Sequence, residues 1–168
     1  MCYGGRRMRR DSLHLTLAFL GGVAEERVET LCGIAAGLDL APFDLHLDQL
    51  GNWRHNRIVW AGCNPSSPGF VELNEAAGKL TAVLRKAGFT IEDRPFAAHV
   101  TLLRNADLRH SNAPEDSPVY EPIIWQVSGF VLVESQLREN GADYRIIGRW
   151  PSSSLDHHSI DANMGLRR

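Results

Sequence analysis

Long apolar runs are missing from this 168-residue chain. No stretch approaches the ~20 residues that a membrane-crossing helix needs. Cysteine is scarce: Cys2, Cys32 and Cys63 make three, an odd number without C-x-x-C spacing. That argues against a disulfide framework and against a zinc site built from cysteines. They read as buried or inert thiols of a reducing cytoplasm, where the protein is expected to work. An excess of positive charge is lacking too. The formal net charge of -2 argues against a protein that coats long nucleic acid, and leaves room for a local site holding one or two phosphates. Met1–Arg10 carries charge with no apolar segment behind it, so no signal peptide is expected. What is present is ordinary for a soluble globular protein: 43% hydrophobic and 23% charged residues. The length suits one domain or two small lobes sharing one core.

Along the chain, Arg6, Arg7, Arg9 and Arg10 read as a solvated basic arm over residues 1–11, or as an electrostatic guide for an anion. Ser12–Leu20 reads as a strand closed by Gly21-Gly22. Val28, Leu31, Ile34, Ala35 and Leu38 fall at helical spacing within Ala24–Leu38. Phe43–Leu50 alternates as a second strand, Gly51–Asn56 is a polar turn, and Arg57–Gly62 completes a hairpin. Ser67-Pro68 predicts the start of a helix that runs to about Ala87, with Gly88 as its stop. Ala97–Leu103 is another strand, and Asp107–Pro122 a long surface loop. Ile123–Leu137 and Asp143–Trp150 read as two long strands joined by a turn at Asn140-Gly141. Residues 151–168 are Ser-, His- and Asp-rich, without an apolar face, and are expected to be a disordered tail. Strands followed by helices and hairpins, rather than strict alternation, predict an α+β fold with antiparallel sheets over residues 12–150.

The chemistry sits in two short segments of one form. His14-Leu15-Thr16-Leu17 and His99-Val100-Thr101-Leu102 each place H-x-T-L in a predicted strand. Residues two apart on a strand share a face. His14 with Thr16, and His99 with Thr101, therefore form polar faces backed by apolar ones. A single H-x-T is common by chance, and a lone strand histidine is more often structural. Two copies, each followed by leucine, suggest two related halves. A pair of imidazoles can supply one acid and one base near neutral pH. Threonine hydroxyls beside them can donate to phosphoryl oxygens. Only Asp11 among acidic residues neighbours either segment, so neither a metal nor a cofactor is expected.

Ser12–Gly21 (SLHLTLAFLG) and Arg94–Arg104 (RPFAAHVTLLR) resemble the two signature motifs of the two-histidine phosphoesterase superfamily. Within it, the segments are most similar to the bacterial RNA 2',3'-cyclic phosphodiesterase family, also called 2'-5' RNA ligases. The resemblance runs from about Gly5 to Trp150 and takes in Phe43–Leu50, Arg57–Gly62, Gly88–Arg94, Phe130–Leu137 and Tyr144–Trp150. It implies a bilobal, pseudo-two-fold fold, two antiparallel sheets with outer helices around a central cleft. It implies hydrolysis of RNA 2',3'-cyclic phosphate ends to 2'-phosphates, with 2'-5' ligation as the related reverse chemistry. On it, His14 is the proton donor, His99 the acceptor, and Thr16 and Thr101 hold the phosphate. Departures are visible. Only thirteen residues precede His14, where the family usually has a further strand and helix. Ala98 stands where proline is common.

Other residues carry weaker signals. Arg104, on the second motif's strand, could reach substrate phosphate or sit in a surface ion pair. Phe96 could stack on a base or pack in the core, and Phe19 is expected in the core. Trp53-Arg54-His55-Asn56 reads as an exposed turn with a faint RNA-contact signal. His46 is expected to face solvent, and His110, His157 and His158 to lie in loop or tail. The partners expected are RNA ends or small cyclic-phosphate nucleotides, with no membrane and no obligate protein partner. A non-catalytic nucleotide-binding module of the same fold, and a phosphodiesterase for a small metabolite such as ADP-ribose 1'',2''-cyclic phosphate, are the rival readings.

Overall fold

The computed structural model describes residues 4–109, 120–138, 141–150 and 162–167. Its strands are β1 (Arg6–Arg7), β2 (Thr16–Gly22), β3 (Phe43–Leu47), β4 (Gln49–Trp53), β5 (Ile58–Gly62), β6 (His99–Arg104), β7 (Ile123–Val127), β8 (Phe130–Arg138), β9 (Gly141–Trp150) and β10 (Ala162–Arg167). Its helices are α1 (Val28–Ala36), entered through a 3-10 turn at Glu25–Arg27, and α2 (Phe70–Lys86). One sheet has the order β1-β6-β5-β4, another β2-β10-β8-β9, and β3 pairs with β7 in a separate ribbon. The class is α+β, as the sequence predicts.

α2 forms because Leu73, Ala77, Leu80 and Leu84 recur every three or four residues, and all four are buried. Each such leucine contributes about 2 kcal/mol of apolar burial. Gly88 does end this helix. The Gly88 and Phe89 amides donate to the Arg85 and Leu84 carbonyls at 2.9 and 3.0 Å. Arg27 braces the same end from the start of α1, donating to the Ala87 and Gly88 carbonyls at 2.6 and 3.1 Å, with its guanidinium 3.9 Å over the Phe89 ring. The helix start differs from expectation. α2 begins at Phe70, and the Ser67 hydroxyl donates to Asp48 instead of capping. One main core cluster gathers Leu15, Leu31, Leu45, Leu80, Phe130 and Leu132 between helices and sheets.

Four expectations about strands and chain ends need correction. The strand expected over Phe43–Leu50 is two strands. Asp48 interrupts it, accepting hydrogen bonds from the Asn64 amide (2.9 Å), the Asn64 side chain (3.3 Å) and Ser67. β3 then pairs with β7, while β4 pairs with β5 and takes Gly51–Trp53 out of the expected turn. The strand expected over Ile123–Leu137 likewise breaks at Ser128-Gly129 into β7 and β8, which join different sheets. The basic arm is not free: β1 pairs antiparallel with β6. Finally, the expected disordered tail contains β10, which runs parallel between β2 and β8 and makes that sheet mixed rather than antiparallel. A slot flanked on both sides by unpaired backbone donors and acceptors orders a segment whose own strand signal is short, three alternating apolar residues with no β-branched one. Residues 110–119, 139–140 and 151–161, with their expected loop, turn and histidines, lie outside the described residues.

Among the described residues, Cys32 is half-buried and Cys63 buried, both as free thiols. No described helix is long and apolar enough to cross a membrane.

Candidate active site

The two H-x-T segments meet at their middle residues. Leu15 and Val100 form an antiparallel bridge, the point where the β2 and β6 segments touch. Both are core residues, at 0% and 6% exposure. Flanking positions of an antiparallel bridge fall opposite one another, so His14 faces Thr101 and Thr16 faces His99, all four on the side away from the core. The diagonal pair, His14 and His99, is then roughly 7–8 Å apart at the backbone by strand geometry. All four are half-buried, so they border solvent without being sealed. The bridge sets the two copies of the motif side by side and antiparallel.

The surroundings of the two rings are alike. Nδ1 of His14 lies 2.7 Å from the Ser12 carbonyl oxygen, and Nδ1 of His99 lies 2.8 Å from that of Ala97. A carbonyl oxygen only accepts, so each Nδ1 carries the hydrogen, and Nε2 is left for the cleft. Each ring also meets an aromatic edge. Tyr144 on β9 stands 5.1 Å from His14 at 65°, and Trp53 on β4 stands 4.5 Å from His99 at 72°. Both imidazoles titrate below their ordinary value, chiefly because burial penalises the charged ring. The Ser12 and Ala97 carbonyls oppose this by favouring the protonated ring. Repulsion from Arg104 adds to the lowering at His14; at His99, Arg94, His14 and Arg104 all add.

Arg104 reaches the site because of a bulge. Thr101 pairs with Trp60 and Leu103 with Val59, so Leu102 is an extra residue in β6. Val59 and Trp60 point to opposite faces. Thr101 and Leu103 therefore do too, and Arg104 returns to the face of His99 and Thr101. Plain alternation would send it the other way; re-aiming a side chain is a common use of bulges beside active sites.

A cavity of about 590 Å³ opens from Thr16 and His99 along α2, with Phe19, Phe96, Trp53 and Arg94 in its wall. That is ample for a nucleotide-sized ligand. Phe96 thus sits where a base can stack, and Phe19, expected in the core, is half-buried in the same wall. Trp53, read from sequence as part of an exposed turn, is instead the neighbour of His99. Its only local signal is an aromatic beside charge in a polar turn. Tyr144 gives no local signal at all, since its contact is purely tertiary. His46, expected in solvent, is half-buried on β3. No group of three His, Cys, Asp or Glu side chains that could hold a metal forms among the described residues.

Comparison with known proteins shows the family and the fold. A family model described as LigT like Phosphoesterase matches residues 2–60 and 65–142. An RNA 2',3'-cyclic phosphodiesterase of Escherichia coli K12 is 34% identical over 146 residues, 87% of this chain and 79% of that protein. One from Thermus thermophilus is 33% identical over 155 residues, 88% of this chain and 75% of the relative. In three dimensions, E. coli LigT complexed with 3'-AMP superposes with a TM-score of 0.66 at 30% identity, over 88% of this chain and 81% of that one. With paired motifs, a shared fold and a matching family model over most of its length, the chain belongs to the LigT-like phosphoesterases.

Proposed function

We propose that this protein hydrolyses 2',3'-cyclic phosphates at RNA ends, leaving 2'-phosphates, with His14 as general acid and His99 as general base. The observation that carries this reading is the Leu15–Val100 bridge, which brings the two H-x-T segments side by side. The relatives' activity supports the same substrate class.

His99 Nε2 takes a proton from water, whose oxygen attacks phosphorus. The bond from phosphorus to the ribose 3' oxygen breaks, and His14 Nε2 protonates that oxygen. The pair ends with its protonation exchanged and is reset by solvent. Thr16 and Thr101 donate to the equatorial oxygens, and Arg104 offsets their growing charge. The roles are those that the family resemblance implies. Burial lowers both rings first; Arg104 adds to this at His14, and Arg94 and Arg104 add to it at His99. A neutral His99 and a charged His14 are consistent with that pattern. Each proton transfer supplies about 10²- to 10⁴-fold in rate. A ribose 5'-hydroxyl in place of water would give a 2'-5' linkage by the same bond changes. The reaction belongs in the cytoplasm, where RNA is processed and free thiols persist.

The test uses an RNA oligomer ending in a 2',3'-cyclic phosphate, with a metal chelator present throughout. A 2'-phosphate product, lost in both His14→Ala and His99→Ala, supports the reading. Activity abolished by chelator, a 3'-phosphate product, or tight binding without turnover would reject it.

A further inference from the structure

The N-terminal arm brings a second guanidinium to the site. In the β1–β6 pair, Arg6 lies directly opposite Arg104, and Arg7 opposite Leu103. Directly opposite residues share a face, with Cβ atoms roughly 4.5–5.5 Å apart. Arg6 therefore starts on the cleft face with Arg104. Arg7 starts on the other face with Leu103, which packs against Val59, Ala106 and Leu108. Both arginines are exposed.

The arm has a built seat. Gly5 has φ +82, and a Cβ there would stand 2.8 Å from the carbonyl oxygens of both Arg104 and Asn105. Only glycine allows that approach in that conformation. The Met8 amide then donates to the Leu102 carbonyl at 2.9 Å. Arg6 is thus held one strand across from Arg104, about 4.8 Å away at the backbone, on the same edge of β6 that receives Leu15. An exposed guanidinium beside Arg104 offers a second phosphate a charged, two-pronged donor. A cyclic mononucleotide brings one phosphate to the site. A polynucleotide end brings a second.

We propose that Arg6, standing beside Arg104, binds the backbone phosphodiester that precedes the cyclic end while Arg104 stays with the cyclic phosphate, so that RNA oligomers are better substrates than free 2',3'-cyclic mononucleotides. This rests on the cyclic phosphodiesterase reading above. It assigns a substrate-selecting role to an arm that lies outside both motifs.

The experiment measures kcat/KM for 2',3'-cyclic AMP and for a trinucleotide with a 2',3'-cyclic end, in the full chain and in Arg6→Gln, Arg6→Lys and Arg7→Gln. The native chain should prefer the trinucleotide. Arg6→Gln should lose about fivefold on the trinucleotide alone, the range of one exposed charge contact. Its log–log salt slope for that substrate should flatten by about 0.7. Arg6→Lys should keep part of the preference, and Arg7→Gln all of it. Equal losses on both substrates, or equal behaviour of Arg6→Gln and Arg7→Gln, would overturn the proposal while leaving the hydrolase reading intact. A native chain that cleaves neither substrate would end both.

Discussion

Leu15 is the residue at which packing and catalysis meet, so its truncation should damage both. The side chain is fully buried and bridges Val100, itself 6% exposed. Leu15→Ala leaves a cavity at the join between the motif strands. Buried leucine truncations cost about 3–5 kcal/mol. The total stability of such a domain is about 5–15 kcal/mol. At about 2–4 °C per kcal/mol for a chain of this size, Tm should fall by roughly 6–20 °C. Relaxation into the cavity also shifts His14 and Thr16 relative to His99 and Thr101. A displacement on the order of 1 Å costs about 10²-fold in rate. The control is Leu80→Ala. Leu80 is equally buried, on α2 rather than in either motif. It should lose similar stability, measured by urea and thermal denaturation. Turnover per folded molecule, measured well below both melting points, should survive in Leu80→Ala and collapse in Leu15→Ala. A cycle with Val100→Ala should show a coupling of about 0.5–3 kcal/mol. Equal turnover in the two leucine variants, or strict additivity with Val100→Ala, would refute the claim that this bridge sets the imidazole spacing.

Three further outcomes follow from the structure. Both imidazoles hold protons less tightly when folded than when unfolded, so below about pH 6.5 the unfolded chain takes up protons first. Stability should therefore fall as pH drops from about 6.5 to the folded values and level off below them; His14→Gln/His99→Gln should flatten that part of the curve in urea titrations. Trp53→Ala removes the ring 4.5 Å from His99 and admits water, so the acid limb of the kcat/KM profile should move up toward about 6.5; a limb that stays put would show that Trp53 does not set this proton affinity. Ending the chain after Trp150 removes β10 and bares the facing edges of β2 and β8; size-exclusion chromatography should then show oligomers or aggregate, and an unchanged monomer of equal Tm would show that β10 is dispensable.

The site is legible in the sequence because two features of it are local. Strand alternation puts His and Thr on one face within three residues, and the repetition of that pattern at residue 99 signals a partner. What joins the copies, the Leu15–Val100 bridge, is tertiary and leaves no mark on either segment alone. The break at Asp48 escapes a reading of the sequence because Phe43, Leu45 and Leu47 alternate smoothly up to it; the strand ends through hydrogen bonds from Asn64 and Ser67, well over a dozen residues away. Arg104 faces the cleft through a bulge that periodicity cannot register. Ala162–Arg167 has no β-branched residue, and its short alternation of Ala162, Met164 and Leu166 follows a polar, Ser- and His-rich stretch; it becomes a strand through its neighbours on both sides. The charge of the arm is plain in its residues, whereas its docking is hidden in one glycine, Gly5.

The position of β10 has a consequence for biosynthesis. Of the described strands, only β1 is made before β2, which carries Thr16, and β10, the strand that lies beside it, is made after all the others. At about 5–20 residues per second, β2 waits several seconds or more for its neighbour. Throughout that interval an adhesive edge beside a catalytic threonine is open to any other extended chain. Completion of this lobe is therefore timed by the synthesis of Ala162–Arg167, and nascent chains crowded on one message are the setting in which it is most exposed to mispairing.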